Sequence, residues 1–306
     1  MILVVGSTGM VGSGICQVLN AKHLPFKALV RETSAPAKVA NLKANGAQLV
    51  MGDLRDAVSL KAACQGVDTV IETVSAMPFS YTPGQNDLQH VDLEGSQALI
   101  DAAKAAGVKH YIYTSFSGSL DADVPLVHAK RAVEEHLKSS GLTYTILRPS
   151  CFMEVWLSPA VGFDAMNAKA TVYGGGDQPI SWIAVKDVVA FAVESLTNPA
   201  ARNAVLEMGG PEQVSPHKAI AIFEQETGRK FEVTYVPAEA LKAQMEGASD
   251  PMQKSFSGLM VSITMGDPIP MQETLKAFPL QLTSVQEYAK LVSGEWRVAN
   301  GGSAGG

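Results

Sequence analysis

Three glycines stand where a chain can cradle an anion. Gly6-Ser7-Thr8-Gly9-Met10-Val11-Gly12 spaces them as GxxGxxG. With 27 glycines in 306 residues, chance alone supplies about 0.2 such matches per chain, so the context decides. The motif follows the apolar run Ile2 to Val5 directly and opens a helical pattern from Met10 to Leu19. In a strand–turn–helix of this kind the first glycine permits the tight turn. The second lets the backbone approach a diphosphate, and the third lets the helix pack on the strand. The helix N-terminus adds free N–H groups and a positive dipole end. The competing reading is a turn whose glycines serve packing only. A dinucleotide site is the stronger reading, because five more strands follow in order.

The next apolar run, Phe26 to Val30, should end beside the ribose of the adenosine half. An acid there would bind a 2′-hydroxyl and a base would bind a 2′-phosphate. Arg31 offers the planar fork that suits phosphate, and Lys38 is near enough in sequence to help; Glu32 argues the other way. The expectation is NADP(H) in preference to NAD(H), with a solvated surface arginine as the alternative. Asp53, followed by Leu54, is placed to meet the adenine amino group or simply caps its loop. Thr73, Val74 and Ser75, with Ala76, should flank the middle of the cofactor, chiefly through backbone.

These residues need a scaffold, and the pattern supplies one. Short apolar runs at Gln48 to Met51, Val67 to Val74, Val108 to Thr114 and Thr143 to Leu147 alternate with helical stretches at 37–44, 57–64, 88–106 and 127–139. That alternation implies parallel strands joined by crossover helices, an α/β doubly wound sheet. After Pro149 the rhythm changes, and a smaller C-terminal α+β lobe is expected. Residues 1–155 read as the nucleotide-binding domain and 156–299 as mainly a substrate lobe. Elements at about 180–210 (a helix from Asp187 to Leu196, a strand from Ala204 to Met208) return to the main sheet. Further helices are expected at His217 to Thr227 and Pro237 to Met245, with a strand at Phe231 to Val236. The tail Asn300 to Gly306 reads as flexible.

Composition excludes several classes. Lys+Arg 24 against Asp+Glu 30 gives a net charge of -6, which disfavours non-specific nucleic-acid binding. Cys16, Cys64 and Cys151 are too few and too scattered for a disulfide framework or a zinc site, so free thiols are expected. His90 and Asp92 form no metal-ligand set, and no metal is expected. No apolar run nears the roughly 18 residues of a membrane span, and no leader pattern opens the chain. The expected setting is cytoplasmic, as a monomer or homodimer acting on a small molecule.

Gly6 to Gly12, Arg31, Gly52-Asp53-Leu54, Tyr113-Thr114-Ser115, His128-Ala129-Lys130 and Tyr144 to Pro149 together resemble the NmrA-like branch of the atypical short-chain dehydrogenases/reductases. A weaker match continues through Trp182 to Asp187 and Leu282 to Val285. The branch holds quinone reductases, isoflavone-reductase-like enzymes and regulators that bind NADP without turnover. The resemblance implies a cleft between the two lobes. It also implies roles for Lys130, on the nicotinamide ribose or as acid/base, and for Ser115 facing the substrate, with Thr114 as the fallback if the pleat is out by one. The family's usual Tyr, four residues before the Lys, is Leu126 here. Reduction of a simple ketone needs a positioned acid for the alkoxide; a quinone yields a stable phenolate. The expected reaction is therefore NADPH-dependent hydride transfer to a quinone-like or conjugated carbonyl. The alternative is a non-catalytic NADP(H)-sensing regulator or assembly factor.

Pro149, Ser150 and Phe152 should border the nicotinamide. Phe79 and Tyr81 lie in a Pro/Gly-rich loop after the fourth strand, a position that often carries function. Met153 and Trp156, then Phe163 and Met166, line a substrate pocket or pack the lobe. Cys151 has no adjacent base and reads as a core residue. His128 either relays protons to Lys130 or is a surface residue.

Overall fold

A computed structural model describes residues 1–77 and 80–299. The first half alternates strand and helix: β1 (Ile2–Val5), α1 (Met10–Ala21), β2 (Phe26–Val30), α2 (Pro36–Ala44), β3 (Gln48–Met51), α3 (Ala57–Ala63) and β4 (Thr69–Glu72). A π-wound segment, Leu88–Gly95, then runs without a break into α4 (Ser96–Ala105). β5 (His110–Thr114), α5 (Pro125–Ser139) and β6 (Thr143–Pro149) follow. The strands form one parallel sheet in the order β3-β2-β1-β4-β5-β6, completed at the edge by a late strand, β9. The chain winds outward from β1 to β3 and then returns to β4 on the other side of β1. This reversal opens a crevice at the carboxyl ends of β1 and β4, where ligands of such sheets bind.

The two sheet faces explain the sequence pattern. Val4, Ala28, Ile71, Ile112 and Leu147 pack on one face with residues of α1. Leu3, Val5, Val70, Tyr111, Tyr113 and Ile146 pack on the other, under α3, α4 and α5. Burial on both faces is why the strands read as unbroken apolar runs.

The second half begins with α6 (Met153–Trp156), β7 (Phe163–Asp164) and β8 (Lys169–Tyr173). The chain then goes back to the first lobe. α7 (Val185–Glu194) joins the core beneath α1, where the bare Gly14 leaves room for Val189. β9 (Ala204–Met208) pairs with β6. The remaining elements are α8 (Pro216–Thr227), β10 (Glu232–Val236), α9 (Ala238–Gly247), α10 (Pro251–Thr264), α11 (Gln272–Ala277) and α12 (Val285–Ala299). A small sheet, β10-β8-β7, has its own apolar core. Phe163 and Phe223 meet there edge to face at 4.8 Å.

Some boundaries differ from the sequence expectation. The helix expected over 88–106 is π-wound in its first half, and the strand expected over 67–74 is four residues long. The sixth strand continues to Pro149. Strands β7 and β8 and helices α10 to α12 are additional to the elements expected from the sequence. The tail Asn300 to Gly306 and the Phe79 position lie outside the described residues. Among the described residues no helix is long and apolar enough to cross a membrane.

One buried group in this sheet makes stability depend on pH. His110 opens β5, fully enclosed, with Nε2 2.8 Å from the Thr145 hydroxyl, which itself donates to Ala201 O. The hydroxyl proton is thus committed, and Nε2 must donate. Burial lowers the imidazole from 6.5 to about 4. The unfolded chain therefore takes up a proton that the folded chain refuses between those values. The stability is fully present above about pH 6.5 and is lost progressively towards pH 4, to a limit of about 3 kcal/mol. Denaturant unfolding at pH 7 and pH 4.5 should show a larger acid loss for the wild-type chain than for His110→Gln.

Candidate functional site

The glycine turn is built as its spacing requires. Gly6 takes φ +85°, and a side chain there would strike Thr73. Gly9 N–H donates to Gly6 O at 2.9 Å, closing the turn. A Cβ on Gly12 would lie 2.7 Å from the Gly6 carbonyl carbon and closer still to its oxygen, so α1 packs directly on the turn. No side chain caps α1, and its first N–H groups lack the partners a cap would supply. Beside them lies a groove of about 260 Å³ bordered by Ser7, Thr8, Gly9, Met10, Lys38 and Asn41. Lys38 Nζ donates to Thr8 O at 3.0 Å, which puts a positive charge on its rim. The bare cradle, the uncapped helix and the lysine fit a diphosphate. Ser7 contributes backbone only, because its hydroxyl donates to Leu29 O at 2.7 Å.

Arg31 leaves the end of β2 and donates from Nη1 to the uncharged Asn86 Oδ1 at 2.6 Å. Asp53 differs from the simple expectation. Both its oxygens accept from Arg55, at 2.8 and 2.6 Å, and that guanidinium holds its carboxyl below the usual carboxylate range. The Asp53 carboxylate is committed within its own loop. Leu54 is buried against Gly95, which has no side chain to spare room for one.

Beyond β4 the backbone crosses the crevice. Thr73 donates from its backbone and its hydroxyl to Val5 O. Val74 O accepts from Lys130 Nζ at 2.9 Å, Ser75 Oγ accepts from Met77 N, and Ala76 N donates to Asp92 Oδ2 at 2.9 Å. Lys130 projects from α5 and is buried, 5.1 Å above the ring of Tyr113. Under it, Glu72 accepts from Ser96 and Tyr111 hydroxyls at 2.6 and 2.5 Å. Burial pushes the Glu72 carboxyl up.

Ser115 is placed differently from the expectation. Its hydroxyl is buried and donates to Glu134 Oε1 at 2.6 Å, while Arg131 Nη1 approaches it at 3.3 Å. Glu134 also accepts from Arg148, which bridges to Glu207 at 3.0 Å. Among the described residues no hydrogen bond joins Ser115 to Lys130. The neighbouring Thr114 hydroxyl is buried without a hydrogen-bond partner.

Around the end of β6, Pro149 O accepts from Ser117 N, and Ser150 Oγ donates to the buried Asp267 at 2.6 Å. Ser117 and Ser119 hydroxyls donate to the same carboxylate. Phe152 is half-buried against the first lobe's core. Met153 is wholly enclosed. Trp156 borders a void of only about 30 Å³ together with Val161 and Trp182, room for little more than a water. These two residues and Phe163 pack the lobe, and Met166 is exposed. Burial pushes the Cys151 thiol well up, away from nucleophilic duty. His128 pairs with Asp123 on the surface at 2.8 Å and makes no contact with the Lys130 ammonium among those described. Tyr81 reaches from its loop across to Asp250 Oδ2 at 3.3 Å, tying the first lobe to α10.

The missing tyrosine is also explained locally. Leu126 is buried, its N–H donates to Ser255 Oγ of α10 at 3.1 Å, and Gly258 of α10 leaves the space that Val124 fills. Arg55, Asn86 and Asp267 have no role in the sequence reading, and Asp92 is considered there only against a metal set, not beside Lys130. Of these, Asp92 gave a readable signal, a lone acid at a buried position in an amphipathic helical stretch. Among the described residues no group of three or more His, Cys, Asp or Glu is arranged to hold a metal ion.

A parallel sheet with a switch point, a glycine cradle and an uncapped helix above it define a nucleotide-binding α/β fold. The chain belongs to the NmrA-like family, whose family model matches residues 1–289. It is 35% identical over 253 residues to the NAD(P)H azoreductase of Xenophilus azovorans, covering 82% of each chain. It is 31% identical over 242 residues to the photosystem II assembly factor Ycf39 of Cyanophora paradoxa, covering 79% of this chain and 73% of that protein. The NADPH-dependent quinone oxidoreductase of Escherichia coli, solved with NADPH, shares the fold at TM-score 0.76 and 24% identity, over 95% of this chain and 99% of that one.

Proposed function

We propose that this protein is an NADPH-dependent oxidoreductase whose acceptor is quinone-like or otherwise conjugated. The single observation that carries the reading is Lys130, a buried ammonium at the crevice, with Leu126 where an acidic hydroxyl would stand. Gly6 to Gly12 would hold the diphosphate through backbone N–H groups. Arg31 and Lys38 would take the 2′-phosphate, and Val74, Ser75, Thr114, Pro149 and Ser150 would border the nicotinamide half. NADPH supplies, when bound, a hydride. Lys130 donates hydrogen bonds and offsets negative charge as it develops on the acceptor. The two-electron product of a quinone is a stable oxyanion, so no tyrosine is needed. Azo compounds share that conjugation, and the relative in Xenophilus azovorans carries the name azoreductase. Residues 1–155 would form the cofactor unit, with 156–299 mainly a lobe over a small-molecule substrate.

The test is NADPH oxidation followed by absorbance with quinones, enones, azo dyes and simple ketones. Fast turnover with conjugated acceptors and none with simple ketones is the expected result, and the reverse pattern overturns it. A second reading, a cofactor-binding assembly factor without turnover, is favoured by Leu126 and by the relative in Cyanophora paradoxa. Tight NADPH binding with no oxidation of any acceptor would select it.

Arg31 sets the choice of cofactor. Its guanidinium donates to a neutral amide acceptor in Asn86 and feels the Asp53 carboxylate only through space, that carboxylate being held by Arg55, so it is available to a phosphate. Arg31→Ala should weaken NADPH relative to NADH by about 1–3 kcal/mol, the size of one charge-assisted contact. Fluorescence titrations with both nucleotides check this; equal losses for the two would remove Arg31 from the phosphate site.

A further inference from the structure

We propose that Asp92 is a positioning residue for Lys130, supplying the counter-charge that lets a buried ammonium stand ready at the crevice. The inference rests on the reading of Lys130 above and extends it to a residue with no assigned role.

The side chains of Lys130 and Asp92 are 5% and 0% exposed, with Nζ 3.5 Å from Oδ1. Asp92 Oδ2 is occupied by the Ala76 N–H. Asp92 Oδ1 is buried and accepts no hydrogen bond, an exception among buried carboxylates. Lys130 commits one N–H to Val74 O. A bare carboxylate oxygen therefore faces an ammonium with N–H groups to spare. The contact is close enough to offset charge where water is excluded, yet loose enough to leave those donors uncommitted.

The other charged or titratable groups around Lys130 are already engaged or uncharged. Glu72 of β4 also acts on Lys130 through space, but burial, the largest influence on its carboxyl, pushes it towards the neutral form, and both its oxygens accept from Ser96 and Tyr111. Tyr113 of β5 presents its ring. On α5 itself Glu134 is bonded to Ser115, Arg131 and, from β6, Arg148. Among the described residues Asp92 is the carboxylate within ion-pair distance of the ammonium. Its placement comes from the π-wound turns of Leu88–Gly95, which shift the register of side chains relative to an α-helix. Such turns recur at functional sites.

The experiment compares Asp92→Asn, Lys130→Met and the double variant of the full chain. Asn retains an oxygen for the Ala76 N–H and removes the charge. Asp92→Asn should lower kcat/KM for a naphthoquinone with NADPH by about tenfold or more at pH 8. The basic limb of its pH profile should move to lower pH by about one unit or more. Its melting temperature should fall, and adding Lys130→Met should restore most of that fall, because the unbalanced ammonium is then gone. If Asp92→Asn does not fold, a folded double variant supports the pairing and an unfolded one overturns it. A wild-type pH profile in Asp92→Asn, or melting losses that simply add, also overturns it and leaves Asp92 as a cap for Ala76. The melting cycle needs no turnover. A chain that reduced nothing would refute the oxidoreductase reading while the pairing was still decided.

Discussion

A Gly12→Ala variant is expected to lose NADPH affinity by a factor on the order of 100 and to melt at lower temperature. The methyl group would lie 2.7 Å from the Gly6 carbonyl carbon, inside any tolerated contact. Neither neighbour can yield cheaply. Gly6 O accepts the Gly9 N–H that closes the turn, and Gly6 is held at positive φ against Thr73. The helix must slide away from the strand, at a cost of roughly 1–3 kcal/mol for overpacking. The N–H groups aimed at the diphosphate move with it, and each charge-assisted bond is worth about 1.5–3 kcal/mol. Titration of the folded variant with NADPH, beside a thermal melt, measures both effects. Wild-type affinity in Gly12→Ala would dissolve the assignment of the turn and the chemistry that depends on it.

Lys130→Ala should reduce kcat by about 10²–10⁴ with a conjugated acceptor, the range for removing a positioned acid or charge donor. NADPH affinity should fall far less, because the glycine turn and Arg31 hold the other end of the nucleotide. Removal also strands the Asp92 carboxylate, which is wholly buried. Breaking a buried pair in this way costs about 3–5 kcal/mol, so the variant should also melt early. Steady-state kinetics with a binding titration separate the effects. A variant that bound and turned over like wild type would leave Lys130 a structural residue and favour the assembly-factor reading.

The first 150 residues were legible because parallel strands buried on two faces announce themselves. Ile2–Val5 and Phe26–Val30 are such strands, and the edge strand Gln48–Met51, with exposed ends, is still readable from its apolar run and the Gly52 that follows it. The glycine turn was readable for the same reason, since backbone geometry leaves a compositional trace. What escapes the sequence is the commitment of individual side chains, whether the partner lies near or far along the chain. Asp53 reads as an adenine contact or a loop cap, and Arg55, two residues on, occupies both its oxygens. Ser115 looked like a substrate contact until Glu134, 19 residues on, was seen to hold its hydroxyl. Asp92 shows as a lone acid among apolar helical positions, but the order of residues does not say that the helix begins with wider turns, which decide where its carboxylate goes. The second half was harder still. β7 has two residues, and β10 joins β8 across 58 residues of intervening chain, so little of its pairing is local.

The return of α7 and β9 to the first lobe bears on how the chain can be recombined. A seam drawn at residue 155 would strip the covering from one side of α1 and leave β6 as a raw edge. A chimera joined there from two unlike halves would have to rebuild both surfaces at once, whereas one that kept α7 and β9 with the first half would carry its seams intact.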